Sequence, residues 1–332
     1  MPKSTLDKIL AIHPDPLYVL KTTAHVVKHA RFVKINLEVI ERTADILAEK
    51  NIEPPAWNSE HHFFDGTERT VTYLCLLDAL NFCFWGKPKW GITYNGKKLD
   101  GYWALAAALK RAMEKHPHLA DAEFLARIPP QELALTLRGN TTIPLFAERW
   151  RNVRELGAVL RGHWGGSAAA FVADAQRDAP CLAQMLAENL ASFNDVTVYE
   201  NREVRFFKRA QILVCDLRGA FGGKAWGAFD NIATLTAFAD YKLPQILRAW
   251  RILNYAPALA RKVDARKELA AGSAAETEIR ATTLWAVEFL RDALTRRGCK
   301  LWSVQLDWIL WEASQGQFAG MKPYHRVRTI YY

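Results

Sequence analysis

Residues 206–248 read FFKRAQILVCDLRGAFGGKAWGAFDNIATLTAFADYKLPQILR, and this stretch decides the fold. Its patterning is that of buried helix, yet it carries two cations (Lys208, Arg209) and three carboxylates (Asp216, Asp230, Asp240). Ionisable groups among so much apolar surface destabilise a protein unless they are paired or used chemically, so a site is expected here, centred on Asp240.

Upstream, Val196–Phe207 (VTVYENREVRFF) alternates around Glu200-Asn201-Arg202 and is the best strand candidate. Apolar spacing from Leu17 to Lys50 predicts one or two helices, stopped by Pro54 and Pro55. Residues 73–85, YLCLLDALNFCFW, are apolar except for Asp78 and Asn81, which share a face if helical. They either meet a ligand's hydrogen-bonding edge or satisfy loop backbone groups. Asn95-Gly96 marks a short hairpin or loop between Gly86 and Gly101. Downstream, Ser273 and Glu276 form a capping box for a helix ending near Arg297, with Gly298 as its C-cap, before a last helix over Trp302–Glu312. The fold expected is mainly α with at most a small β-hairpin. It forms a single domain over 1–332 or two intimate helical lobes, because no linker or repeat divides the chain.

Half of the 332 residues are hydrophobic and 24% charged, which excludes a disordered protein. The net charge of +9 favours an anionic partner or is a solvated basic surface. Five scattered cysteines read as reduced thiols of a cytoplasmic protein, and no apolar run approaches the roughly 18 residues of a membrane span. His61 and His62 are adjacent and lack further ligands at helical spacing, so neither metal nor cofactor is expected.

Four stretches, LLDALNFCFW (76–85), FKRAQILVCDL (207–217), FDNIATLTAFADYKLPQILR (229–248) with NYAPAL after it, and ETEIRATTLWAVEFL (276–290) with the HRVRTIYY ending (325–332), carry a resemblance over essentially the whole chain. Together they resemble the queuosine salvage family, the queuosine 5'-phosphate N-glycosylase/hydrolases. The resemblance implies hydrolysis of the bond between queuine, a 7-deazaguanine base, and ribose 5-phosphate, with the queuine reused for transfer RNA modification. It also implies a compact helical fold similar to helix-hairpin-helix DNA glycosylases, and it puts Asp240 at the position of a catalytic carboxylate just before a helix opening at Leu243-Pro244.

That chemistry passes through an oxocarbenium-like sugar, which a nearby carboxylate stabilises. Asp240 is the candidate nucleophile or stabiliser with water-activating duty; its plainer role is a turn residue bonding backbone amides. A 7-deazapurine has carbon where guanine has N7, so hydrogen bonds to its other polar atoms matter more. Asp230 is a candidate for the base edge or the queuine amine, or an N-cap for a helical NIATLTAFA. Asp216 reads as a structural partner of Lys208 or Arg209. Lys208 is the leading phosphate or catalytic cation, or else a salt-bridge member. Tyr241, Lys242, His325 and Arg328 are candidates to extend a phosphate site, or they are surface. Phe82, Phe84, Trp85 and Phe229 are stacking candidates or core. Glu278 and Arg280 are two apart and cannot share one helix face, so one is expected at the site and the other in solvent. His62 is expected to approach from its loop.

The substrate expected is a small molecule, queuosine 5'-monophosphate, with no stable nucleic-acid complex and no membrane. The alternatives are a glycosylase for another modified nucleoside or base, and a non-catalytic RNA-binding protein. The second is weakened by dispersed basic residues and the lack of an aromatic RNA-binding run.

Overall fold

A computed structural model describes residues 3–316 and 321–332. The chain is mainly α-helical, with short strand pairs, and divides into two compact units. The first comprises Met1–Pro55, Asp195–Lys208 and Ile232–Arg328; the second comprises Ala56–Asn194, Arg209–Asn231 and Thr329–Tyr332. No helix among the described residues is long and apolar enough to cross a membrane.

The first unit is organised on the 23-residue helix Ala274–Arg296, which packs against Val19–His29, Leu37–Glu49, Lys242–Ala249 and Ser303–Ala313. Ser273 Oγ accepts from the Glu276 amide at 3.4 Å, as a capping box requires. The reciprocal bond goes one residue further out, from the Gly272 amide to Glu276 Oε2 at 3.1 Å. The helix stops at Arg297, followed by Gly298 at φ 86°, a left-handed conformation natural to glycine. The Leu17–Lys50 region is two helices with a strand between them, Val33–Ile35, which pairs antiparallel with Leu253–Tyr255. Val196–Tyr199 and Arg202–Arg205 form the expected hairpin, turning through Glu200 and Asn201.

NIATLTAFA is not a helix. Only Ile232–Thr234 makes a single 3-10 turn. Beyond it the backbone bonds to distant side chains: the Phe238 amide donates to Asp307 Oδ1 at 2.7 Å, and the Ala239 carbonyl accepts from Arg280 Nε at 3.0 Å. Those partners take the place of a helical ladder.

The second unit is built around Glu68–Ala79, capped by Thr67 and packed against Gly101–Lys115, Phe146–His163 and Ala168–Asp174. Gly157 lets Phe146–His163 lie on Ala122–Arg127: an added Cβ would sit 2.3 Å from the Ala126 amide nitrogen. The apolar run 73–85 leaves the helix at Leu80, and its last carbonyls are taken by side chains. Arg209 donates to Asp78 O at 2.6 Å, to Ala79 O at 2.8 Å and to Ser192 O, while Arg149 donates to Phe82 O. A guanidinium suits a helix C-terminus because the carbonyls there carry partial negative charge. Gly91–Tyr94 and Lys97–Asp100 make a further hairpin over Asn95-Gly96 (φ 47° and 75°), so the unit contains the turn that this dipeptide predicts.

Candidate active site

In the first unit, Asp240 lies at the end of the irregular stretch and just before the helix Lys242–Ala249, and is 8% exposed. Its Oδ1 accepts from the Lys242 and Leu243 amides at 2.8 and 2.9 Å. Among the described residues nothing hydrogen-bonds Oδ2, so one carboxylate oxygen is held and the other remains for a reacting group. Burial raises the Asp240 pKa, opposed by the Lys208 ammonium and by the two amides.

Two distant residues hold the backbone that carries Asp240, and a third holds one of them. Asp307 anchors the Phe238 amide. Arg280 holds the Ala239 carbonyl and makes a two-pronged pair with Asp195, at 2.9 and 2.5 Å, with its guanidinium 3.8 Å above the Phe206 ring. Asp195 in turn accepts from the Lys208 amide at 3.3 Å, and its carbonyl takes the amides of Phe206 (3.0 Å) and Phe207 (3.2 Å). Phe207 has φ 48°, a conformation that bulky residues rarely adopt. These contacts hold it there, directly before Lys208, the first residue of the helix Lys208–Ala220. Lys208 is buried, and its charge reaches both Asp240 and Asp307.

Asp307, absent from the sequence-based candidates, is buried. Burial pushes its carboxyl well above the usual range, the Asp240 charge adds to this, and the Phe238 amide and Lys208 oppose it. Its signal was present: a lone acid in the apolar run LDWILW. Asp195 and Tyr199 were missed as well, since neither stands in an apolar run.

Glu278 and Arg280 are both buried, which corrects the expectation that one would face solvent. Their helix is enclosed on every side, so different faces meet different protein partners. Glu278 Oε2 accepts the amides of Arg31 (2.9 Å), Phe32 (2.6 Å) and Val33 (3.2 Å), while Oε1 accepts from the Tyr199 hydroxyl at 2.9 Å. Its acceptors are occupied, and its position is that of a structural anchor. His325 is also buried, and desolvation with the nearby Arg280 charge lowers its pKa to about 3, so it is a neutral imidazole. Tyr241 is half-buried, with its ring 4.8 Å from that of Tyr324.

The remaining candidates belong to the second unit. His62 is buried and stacked on Trp57 at 4.2 Å. Its Nδ1 meets the Asn58 carbonyl at 2.6 Å and so carries a proton; Nε2 meets the Tyr102 hydroxyl at 2.8 Å. Tyr102 also lies 3.1 Å from Asp216 Oδ2, giving Asp216 a phenol partner that sequence reasoning did not supply. Burial lowers the His62 pKa to about 4, so its imidazole is neutral at neutral pH.

Asn81 Nδ2 donates to Asp78 Oδ1 at 3.2 Å although Asn81 lies beyond the helix end. Trp85 and Phe229 are buried. Asp230 is neither buried nor an N-cap: its side chain is 68% exposed and pairs with Arg177 at 2.5 Å, because no helix follows it.

A family model described as queuosine salvage protein matches residues 61–332. The queuosine 5'-phosphate N-glycosylase/hydrolase of Sphaerobacter thermophilus is 49% identical, over 96% of this chain and 98% of the relative. Proteins of the same description from Dictyostelium discoideum and Mus musculus are each 34% identical over 96% of this chain, and over 100% and 99% of the respective relatives.

Proposed function

Because the chain belongs to the queuosine salvage protein family, we propose that it is a hydrolase that cleaves the N-glycosidic bond of queuosine 5'-phosphate, releasing queuine and ribose 5-phosphate. The observation that supports this chemistry best is the Asp240 carboxylate, with one oxygen fixed by two backbone amides and the other without a hydrogen-bond partner among the described residues.

In this reading Asp240 Oδ2 faces the anomeric carbon. Its negative charge stabilises the sugar as the glycosidic bond lengthens and positive charge develops, and the same oxygen then orients the attacking water or forms the bond that water breaks. Lys208 favours the ionised form of Asp240 against burial and supplies a point charge for oxygens of the ribose phosphate. Asp307, Arg280 and Asp195 position this pair; they hold backbone and touch no reacting atom. Tyr241 and Tyr324 offer flat surface for the substrate.

The test is product analysis by chromatography with no added metal, comparing queuosine 5'-monophosphate and unphosphorylated queuosine. Queuine appears from the monophosphate, and more slowly from the nucleoside. Absence of queuine from both overturns the assignment.

A further inference from the structure

On the helix Val19–His29, His25 and His29 stand four residues apart, so their rings leave the helix on one face; the ring centroids are 4.3 Å apart. Opposite them is the tip of the hairpin Val196–Tyr199/Arg202–Arg205, where Glu200 and Asn201 are both left-handed, at φ 47° and 61°. That turn brings Glu200 Oε2 to 3.7 Å from His25 Nε2, too far for a hydrogen bond. No described residue hydrogen-bonds this buried nitrogen. His29 Nδ1 lies 2.8 Å from the His25 carbonyl, which can only accept, so the proton sits on Nδ1 and the lone pair is left on Nε2.

We propose that His25, His29 and Glu200 form a binding site for a divalent transition-metal ion, with Zn²⁺ as the type. One donor atom from each residue lies within 4.8 Å of the others. Ligand distances of about 2.0–2.2 Å require these atoms to close to about 3.5 Å. His29 and Glu200 are exposed and can make that movement, while His25 is largely enclosed and supplies the fixed point. Two imidazoles and a carboxylate suit zinc and its neighbours in the first transition row, and do not suit calcium or magnesium. The His29–carbonyl bond is the outer contact that orients a metal-bound histidine. Lys28 and Arg202 lie near His25 and oppose a bound cation.

The i, i+4 histidine pair is visible in the sequence, but the third ligand comes from 171 positions beyond His29 and is supplied by folding. A bound ion would fasten the last turn of the helix to the hairpin tip. Tyr199, next to Glu200, already lies 3.2 Å from the His29 carbonyl at this joint.

The experiment uses untagged, chelator-treated full chain, with Zn²⁺ titrated by calorimetry and Co²⁺ followed by absorption. One equivalent binds with micromolar Kd, and His29→Ala and Glu200→Gln each weaken it at least tenfold. The cobalt spectrum shows d–d bands of nitrogen and oxygen ligation and no thiolate band. Circular dichroism checks that both variants fold; if His29→Ala does not, His29→Gln replaces it. Absence of binding at about 0.1 mM Zn²⁺ overturns the proposal. So does an unchanged Kd in both variants, or a thiolate band, since zinc would then sit elsewhere.

Discussion

Replacing Asp240 by asparagine removes one charge and almost nothing else. The amide oxygen can still accept from Lys242 and Leu243, at the 2.8 and 2.9 Å distances that the carboxylate now uses, so the turn before the helix survives. What disappears is the attraction between a carboxylate and the cationic sugar. With the charges about 4 Å apart and an effective dielectric near 20, this is about 4 kcal/mol. If all of it acts in the transition state, the rate falls about a thousandfold. The assay is single-turnover release of queuine from queuosine 5'-monophosphate, with a thermal melt of the same preparation. Burial places the Asp240 pKa above the ordinary carboxylate value, so the wild-type rate climbs with pH through that raised value as the active anion forms. The variant lacks this limb. A loss of less than tenfold with a normal melt would refute the central role of Asp240.

Asp307→Asn tests the second carboxyl. Its folded pKa is raised, so its contribution to wild-type stability is full below the unfolded value and is lost as pH rises toward the folded one. The variant should therefore melt above wild type at pH 8 and converge with it near pH 4, by about 1.4 kcal/mol per pH unit within the window; a difference independent of pH contradicts this. Glu278→Gln weakens bonds to three amides and should cost about 2 kcal/mol in urea denaturation while leaving kcat within a few-fold; a selective loss of kcat would make Glu278 a site residue. Gly157→Ala drives a methyl into the backbone of Ala122–Arg127 and should cost about 3 kcal/mol, read as a lower urea midpoint; an unchanged midpoint would mean that the two helices can separate freely.

Features legible in the sequence are those whose causes are local. Asn95-Gly96 supplies two left-handed residues at neighbouring positions, and Ser273 caps the helix that starts beside it. Asp240 and Lys208 stood out because charge in an apolar run is conspicuous at any distance. The stretch after Asp230 was misread because its apolar spacing is helical, whereas its backbone partners, Asp307 and Arg280, lie 69 and 41 residues away from the groups they hold. The same non-local cause hid Asp195, which is joined to Arg280 across 85 residues. Glu278 and Arg280 were expected to divide between site and solvent on the premise of a two-sided helix, which fails where every side is covered.

The enclosed helix Ala274–Arg296 carries a consequence for insertions and deletions. One residue added after Ile279 would turn everything beyond it by about 100°. Arg280 would swing away from Asp195 and the Ala239 carbonyl, and Glu288 would lose Ser303, which now donates to it at 2.5 Å. At the exposed Asn95-Gly96 tip the same addition only lengthens a loop. The helix therefore acts as a ruler: individual side chains along it can be exchanged at a graded penalty, but its count of residues between Glu278 and Glu288 cannot change by one.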